Sequence, residues 1–404
     1  MSGFSHNKRV VSGMRATGRL HLGHYHGVIK NWIKLQHQYD CLFFVADWHG
    51  LTTHYQQTGD TERIIWEMVV DWLACGVNPG LSRIFIQSWV PEHAELHLLL
   101  SMITPLGWLE RVPTFKDQQE KLKEKDLSTY GFLGYPLLQA ADVLIYRADL
   151  VPVGEDQVSH IELAREIARR FNFLYGREPN FTQLAMEAMQ KLGKKNSQLY
   201  QQFRIDYQQN GSHESLTTAK ALIESQLNLS MGDKERLYGF LEGTGKIVLP
   251  EPQALLTETG KMPGLDGQKM SKSYHNTINL RDDLQGVEKK IRTMPTDPAR
   301  VKRTDPGEPT VCPVWQLHLV YSNNEVKQWV ETGCRSAKIG CLECKQPVID
   351  AVKKELQPIQ AAIKEYEEDI GMVKRIVLEG SEQAREEAIK TIADVRQVMG
   401  LDYK

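Results

Sequence analysis

Two histidines three residues apart, in HLGH at 21–24, and two lysines three apart, in KMSKS at 269–273, are the side chains of this sequence best suited to handling phosphate. An apolar run, RVVSG (9–13), leads into the first motif through MRATGRL. A strand that turns through glycines 13 and 18 into a helix starting near His21 offers an anion its free N–H groups and the positive end of the helix dipole. At a spacing of three, His21 and His24 share one helical face, and Gly23 between them lets a ligand approach the backbone. Two imidazoles beside such a site suit a reaction that builds negative charge on phosphate oxygens. Lys269 and Lys272 lie in GLDGQKMSKSYHN (264–276), a loop with Met270, Ser271 and Ser273 that carries compact point charges. Taken singly, each motif reads as ordinary surface, a histidine pair or a solvated basic loop.

A second constellation is made of thiols. Of six cysteines, four fall in C-x21-C-x6-C-x2-C, from Cys312 through Cys334 and Cys341 to Cys344. Four thiolates close a tetrahedral zinc site or hold an iron–sulfur cluster, and the spacing alone leaves both open, with zinc the commoner site. Cys41 and Cys75 lie in apolar strand and helix patterns and read as core.

The elements that must position these groups are legible from periodicity. RVVSG (9–13), CLFFVAD (41–47), RIFIQS (83–88) and LVPVGED (150–156) read as strands or strand-to-loop segments. Between them, Tyr25, Val28, Ile29, Trp32 and Leu35, then ERIIWEMVVDWLAC (62–75), repeat at helical spacing. Ile161, Ala164, Ile167, Ala168 and Phe171 do the same after the last strand. Such alternation predicts an α/β fold, a Rossmann-type parallel sheet covered by helices. The expected domains are a catalytic domain over 1–175, a polar helical insertion over 176–250, the catalytic domain resumed with the KMSKS loop over 251–288, and an all-α domain over 289–404. In its last helix, Ser381 is expected as N-cap and Gly400 as C-cap. With 404 residues and a formal net charge of −2, nothing global points to nucleic acid or membrane, so a polyanionic partner must meet local basic patches. No signal-like or membrane-spanning stretch is evident, which predicts a cytoplasmic address.

HLGH after the first strand together with KMSKS beyond the sheet resembles the signature pair of class I aminoacyl-tRNA synthetases. The stretch YPLLQAADVLIYRADLVPVGEDQVSHIELAREIARRFN (135–172) resembles the tryptophanyl-tRNA synthetases in particular, and nearly the whole chain outside the insertion can be laid along that family. The resemblance implies a tryptophan–tRNA ligase that activates L-tryptophan with ATP and Mg2+, releases pyrophosphate and charges tRNA(Trp), with a helical anticodon-binding domain and a homodimeric assembly. It places His21, His24, Lys269 and Lys272 on the triphosphate, Lys272 contributing more. Arg15, Thr17, Gly18, Gly23, Gly154, Asp156, Met270 and Ser271 would line the ATP site. Asp142 would accept the indole N–H, which fits a ligand group with one donor and no acceptor; without the family it reads as a structural helix carboxylate. His49, Gln139, Val151, Val153 and Gln157 would complete the tryptophan pocket, although the valines read equally well as strand core. Arg15, Ala16 and Gln139 depart from the Gln, Pro and Met common in bacterial members, so contacts there are expected to differ.

One subset of the family binds a 4Fe-4S cluster through C-x22-C-x6-C-x2-C. That pattern is matched here with one residue fewer in the long gap and accompanied by SGMR, ADWH and DPARVKRTDPG. The resemblance therefore implies a 4Fe-4S cluster, with structural Zn2+ as the alternative, that presents Arg335, Lys338 and Lys345 to tRNA. Basic residues in KKIRTMPTDPARVKR (289–303) are further candidates for phosphate. Rival readings are a tyrosine-specific synthetase, a nucleotidyltransferase making another adenylate, and a catalytically silent paralogue that binds RNA as a regulator.

Overall fold

A computed structural model describes residues 8–56, 58–113, 128–176, 180–256 and 262–403. Strand β1 (Arg9–Arg15) runs into a short helix α1 (Leu22–His24), a π-helical turn (Tyr25–Ile29) and α2 (Lys30–Leu35). Next come β2 (Asp40–Ala46), α3 (Asp47–His54), α4 (Thr61–Ala74) and β3 (Ser82–Ile86). Three helices, α5 (Glu92–Ser101), α6 (Leu106–Glu110) and α7 (Tyr130–Leu144), precede β4 (Leu150–Val153) and α8 (Val158–Tyr175). Helices α9 (Phe181–Gln190), α10 (Lys194–Asn210), α11 (His213–Glu224) and α12 (Met231–Glu242) follow, then β5 (Gln253–Leu256). The rest is helical: α13 (Leu284–Arg292), α14 (Pro313–Tyr321), α15 (Asn324–Arg335), α16 (Cys341–Glu368) and α17 (Ile370–Val398).

The five strands form one sheet in the order β3-β2-β1-β4-β5, with parallel registers Cys41↔Ser82 through Val45↔Ile86 and Val10↔Leu150. This is the parallel α/β sheet predicted from the alternating runs. The near-continuous apolar runs follow from burial on both faces: Cys41 through Val45 are buried, as are Val10 and Val11. β5 was not foreseen, because QALL is short and half-exposed and shows no distinct strand pattern.

By contact the chain divides into two compact units, residues 1–7, 13–86 and 256–381 in one, and 8–12, 87–255 and 382–404 in the other. In the first, Trp32 stacks on Phe43 at 4.4 Å and meets Trp72 edge-on at 5.0 Å, which fixes α2 and α4 on β2. Gly380 lets α17 pass close over β3, since a Cβ there would fall 2.1 Å from the Ile84 carbonyl oxygen. In the second, α9 to α12 enclose their own core of Ala188, Tyr200, Ala219, Ile223, Leu237 and Leu241. Residues 181–242 are thus four helices around an apolar centre.

Two local expectations are corrected. Gly13 belongs to β1 and makes no turn; its missing side chain makes room for Phe44, whose ring atoms would lie 2.4 Å from a Cβ. Ser381 is not an N-cap. It sits buried inside α17, where its hydroxyl donates to the Val377 carbonyl one turn back, an arrangement that continues a helix. Gly400, with φ +72°, follows the end of α17 in the left-handed conformation expected of a C-cap glycine. No helix among the described residues is long and apolar enough to cross a membrane.

Candidate active site

The phosphate-handling motifs meet in the first unit. His21 caps α1, and a reciprocal pair of bonds fixes both rings. Gly23 N–H donates to Nδ1 of His21 at 3.1 Å, and His21 N–H donates to Nδ1 of His24 at 3.2 Å. Each Nδ1 is therefore an acceptor, so each neutral ring carries its proton on Nε2 and presents an N–H donor there. The ring centroids are 3.8 Å apart. Burial, and then the Lys272 charge, push His21 down to about 4; burial, His21 and Lys272 hold His24 well below its ordinary value. Both are neutral donors near pH 7. Gly23 also serves this cap, since a Cβ there would lie 2.8 Å from the His21 ring.

Lys272 reaches the same place. A Cβ on Gly18, whose φ of +113° suits glycine, would lie 3.6 Å from the Lys272 ammonium, and burial pushes that ammonium down to about 8. The chain makes this approach by pairing the two motifs' backbones. Leu22 N–H donates to Ile278 O at 2.9 Å and Leu280 N–H to Leu20 O at 3.0 Å, with His21 bridged to Asn279. The KMSKS loop is held by Asn276, which sequence reasoning missed. Its Oδ1 accepts from Ser271 N–H at 2.8 Å, and its Nδ2 donates to Asp266 at 2.7 Å and to Lys269 O at 3.2 Å. Met270 is buried and Lys269 exposed. Thr17 is exposed and Arg15 half-buried at the end of β1, while His49 is buried on α3. Desolvated donors and a cationic amine around a glycine turn make an anion site.

The second unit holds the other group. Asp142, 1% exposed on α7, accepts at Oδ1 from Gln87 Nε2 and from His93 Nδ1, both at 2.7 Å; His93 Nε2 meets the Tyr146 hydroxyl at 2.6 Å. Gln87, just past the end of β3, and His93 were not singled out from sequence, because they stand 55 and 49 positions away from Asp142. A buried carboxylate must be paired or hydrogen-bonded to stay buried, and this one is. Gln139 lies one turn before it, half-buried. Val151 and Val153 are buried on β4, whose carboxyl end turns through Gly154, Glu155 and Asp156, all exposed. Gln157 caps α8 and is oriented by His160, whose Nδ1 lies 2.8 Å from its carbonyl oxygen, with Tyr135 at the far nitrogen at 3.4 Å.

The four cysteines sit at helix starts and turns of the first unit. Cys312 is the N-cap of α14, Cys334 lies in the last turn of α15, and Cys341 and Cys344 are in the first turn of α16. They lie near enough to interact: after burial, the charges of Cys312, Cys334 and Cys341 raise Cys344, which stands at about 12. Arg300, buried, points Nη1 at the Cys334 sulfur from 3.8 Å, and Cys344 Sγ lies 3.4 Å from His318. Gly307 leaves space beside Cys334, since a Cβ would fall 2.7 Å from its sulfur. Among the described residues no three His, Cys, Asp or Glu side chains gather tightly enough to hold one ion. One expectation fails here: Lys345 is 3% exposed and donates to the carbonyls of Arg292 and Met294 at 2.7 and 2.6 Å, closing the end of α13 instead of facing a partner.

The sequence matches the family described as tRNA synthetases class I (W and Y) over residues 5–209 and 228–357. It is 63% identical to a tryptophan–tRNA ligase of Ralstonia nicotianae over 98% of this chain and 99% of that protein. The chain belongs to the tryptophanyl-tRNA synthetases. This synthetase is also 43% identical to the tryptophan–tRNA ligase of Thermotoga maritima, over 98% of its own length and all of the relative. In fold it is similar to a tryptophanyl-tRNA synthetase of Campylobacter jejuni solved with ADP and tryptophan, at a TM-score of 0.72 and 24% identity, covering 97% of this chain and all of that one.

Proposed function

We infer that the chain is a tryptophan–tRNA ligase. It forms tryptophanyl-adenylate from L-tryptophan and ATP, then transfers tryptophan to tRNA(Trp). In the first step a tryptophan carboxylate oxygen attacks the α-phosphorus, and the bond to the β-phosphate oxygen breaks to release pyrophosphate. In the second a ribose hydroxyl attacks the acyl carbon and AMP leaves. The observation that carries the reading is the nearness of the Lys272 charge, which also approaches Gly18, to His21 and His24, whose Nδ1 bonds leave Nε2–H donors. Charge that grows on the phosphate oxygens meets donors already oriented and partly desolvated, so little reorganisation is needed. Lys269, exposed, would follow the outer phosphates, with Thr17, Gly18 and Ser271 lining the approach. Mg2+ supplies further charge neutralisation on the phosphates when bound.

Tryptophan recognition is assigned to Asp142. A buried carboxylate oriented by Gln87 and His93 can accept an indole N–H, a bond that phenylalanine cannot make, and the loss of that bond discriminates strongly. His49, Gln139, Val151, Val153 and Gln157 are assigned to the remaining pocket. The test is pyrophosphate exchange into ATP: it should depend on tryptophan, and exchange driven by tyrosine or by no amino acid would overturn the reading. A silent RNA-binding paralogue would show no exchange at all. In α5 and α7, which pack together, Leu98 and Tyr130 are exposed, as are Met102 and Leu106 close by; they support a homodimer.

The four cysteines are assigned to a 4Fe-4S cluster in the helical region from 289 onward, which we assign to the anticodon end. The donor set fits. Four thiols influence one another and a buried guanidinium opposes the charge they would carry as ligands. The cluster would pin α14, α15 and α16 together. Iron and acid-labile sulfide near four per chain after anaerobic purification support it; one zinc per chain without visible absorption replaces it with a structural ion.

A further inference from the structure

The turn immediately after HLGH is a π-helix, Tyr25–Ile29, in which Lys30 N–H reaches back to Tyr25 O. A π-turn holds one residue more than an α-turn, is rare, and persists where something outside the helix holds it. Here the external hold is a knot of side chains on His26. Its Nε2 lies 2.8 Å from Glu355 Oε2, Lys30 Nζ lies 2.6 Å from Glu355 Oε1, and the Tyr321 hydroxyl donates to Glu355 Oε2 at 2.8 Å. Lys30 Nζ also approaches His26 Nδ1 at 3.4 Å, and the Tyr321 ring meets the His26 ring edge-on at 5.5 Å. An ammonium can only donate, so Nδ1 accepts from Lys30 and Nε2–H donates to Glu355. Burial alone would raise the Glu355 carboxyl; the bonds from His26, Lys30 and Tyr321 outweigh it and hold it at about 2, so the acceptor is charged throughout the working range.

We propose that Glu355 is a positioning residue for the HLGH motif and acts through His26. The argument is mechanical. Beyond the π-turn, α2 is anchored by Trp32, fully buried and stacked on Phe43. Before it, His24 is the last residue of α1 and the first flank of the π-turn. A π-turn released into regular α-helix rotates one flank relative to the other, and the core-anchored α2 cannot be the flank that moves. Leu22 on the other flank is held by its bond to Ile278 O, so the rotation falls on Gly23 and His24 between them and, through the His24–His21 bonds, on the two rings whose Nε2–H groups must meet the phosphate oxygens. Misplacing donors by about 1 Å costs up to about 100-fold in rate. The helices that supply the knot both start at the cysteine site. Tyr321 ends α14, which Cys312 caps, and Glu355 stands eleven residues, about 16 Å of helix, beyond Cys344 on α16.

The inference rests on the ligase reading, and the experiment separates the two. Tryptophan-dependent ATP–pyrophosphate exchange is measured for the full chain and for E355A, E355Q, H26A and H26A/E355A, with iron content and Tm determined alongside. Loss of exchange in the wild-type chain overturns the ligase reading itself and withdraws the inference with it. With wild-type exchange present, E355A should lower kcat about tenfold with the KM for tryptophan and the iron content unchanged. E355Q keeps one oxygen that can still accept from His26 and Tyr321 but turns its amide NH2 toward the Lys30 ammonium, so it should recover part of the rate lost in E355A. H26A should match E355A, and the double variant should be no slower than E355A alone. Wild-type kcat in E355A, whatever its Tm, overturns the proposal, as does a double variant whose loss is the product of the single losses. Should E355A fail to fold, E355D, one methylene short of His26, decides by the same split of kcat against KM.

Discussion

Lys272 carries the most readable charge in the site, because burial brings its ammonium down to about 8. Only the protonated amine attracts pyrophosphate, so kcat/KM for ATP should be level below pH 8 and fall as pH rises through it, close to tenfold per unit. Arginine keeps its charge past pH 12, so K272R should lose the alkaline limb even if its plateau is lower. An unchanged limb in K272R would assign the titration elsewhere. Asp142 gives a second test at this scale. D142N can keep an oxygen toward Gln87 and His93 but exchanges a carboxylate oxygen for an amide N–H, which an indole N–H cannot pair. An unmade buried bond costs about 1–3 kcal/mol, so KM for tryptophan should rise about 5- to 150-fold with KM for ATP unchanged, read by pyrophosphate exchange. The motif residues were legible from sequence because their chemistry is packed into a few adjacent positions. Their supports were not. Asn276 reads as one more loop residue, and His93 and Gln87 reach Asp142 only because α5 and the turn before it fold onto α7.

Helices and buried strands announce themselves by periodicity, and α2, α4 and α8 follow from theirs. What periodicity hides is the reason for a given glycine or serine. Gly13 and Gly18 look alike in the sequence, yet only Gly18 has a positive φ; Gly13 is strand, vacated for Phe44. G13A should therefore destabilise by overpacking, about 1–3 kcal/mol, seen as a fall in Tm. F44L, by shortening the ring that a Cβ would strike, should restore much of it in the double variant. Additive losses in G13A/F44L would mean that strain arises elsewhere in β1. Ser381 shows the same limit: its type fits a cap, but Val373, Val377, Ala384, Ala388 and Val395 form a buried stripe on both sides of it, and the helix runs through. The π-turn after HLGH could not be read locally at all, because the groups that hold it come from α14 and α16, some 300 positions onward.

For the whole chain, a formal net charge of −2 gives no general attraction to a tRNA, so binding must draw on a few local cations. The helical region carries candidates. Lys289, Lys302, Arg303, Arg335 and Lys338 are exposed, whereas Lys345 and Arg300 are buried in structural work. Arg335 already pairs with Glu308 at 2.9 Å and Glu331 at 3.2 Å, which weakens its claim on phosphate. Arg303 is mostly solvated and only 3.4 Å from Glu343, and Lys302 is exposed beside it. These two are the better candidates. Each phosphate contact contributes about 0.7–0.9 to the slope of log affinity against log salt. K302A/R303A should therefore raise the KM for tRNA in the charging reaction and flatten its salt dependence by about 1.4–1.8. Pyrophosphate exchange, which involves no tRNA, should be unaffected. A raised KM with an unchanged salt slope would show that the pair acts through local folding, through Arg303 O on Arg300 and so on the cysteine site. The slope, not the affinity, tells contact from scaffold.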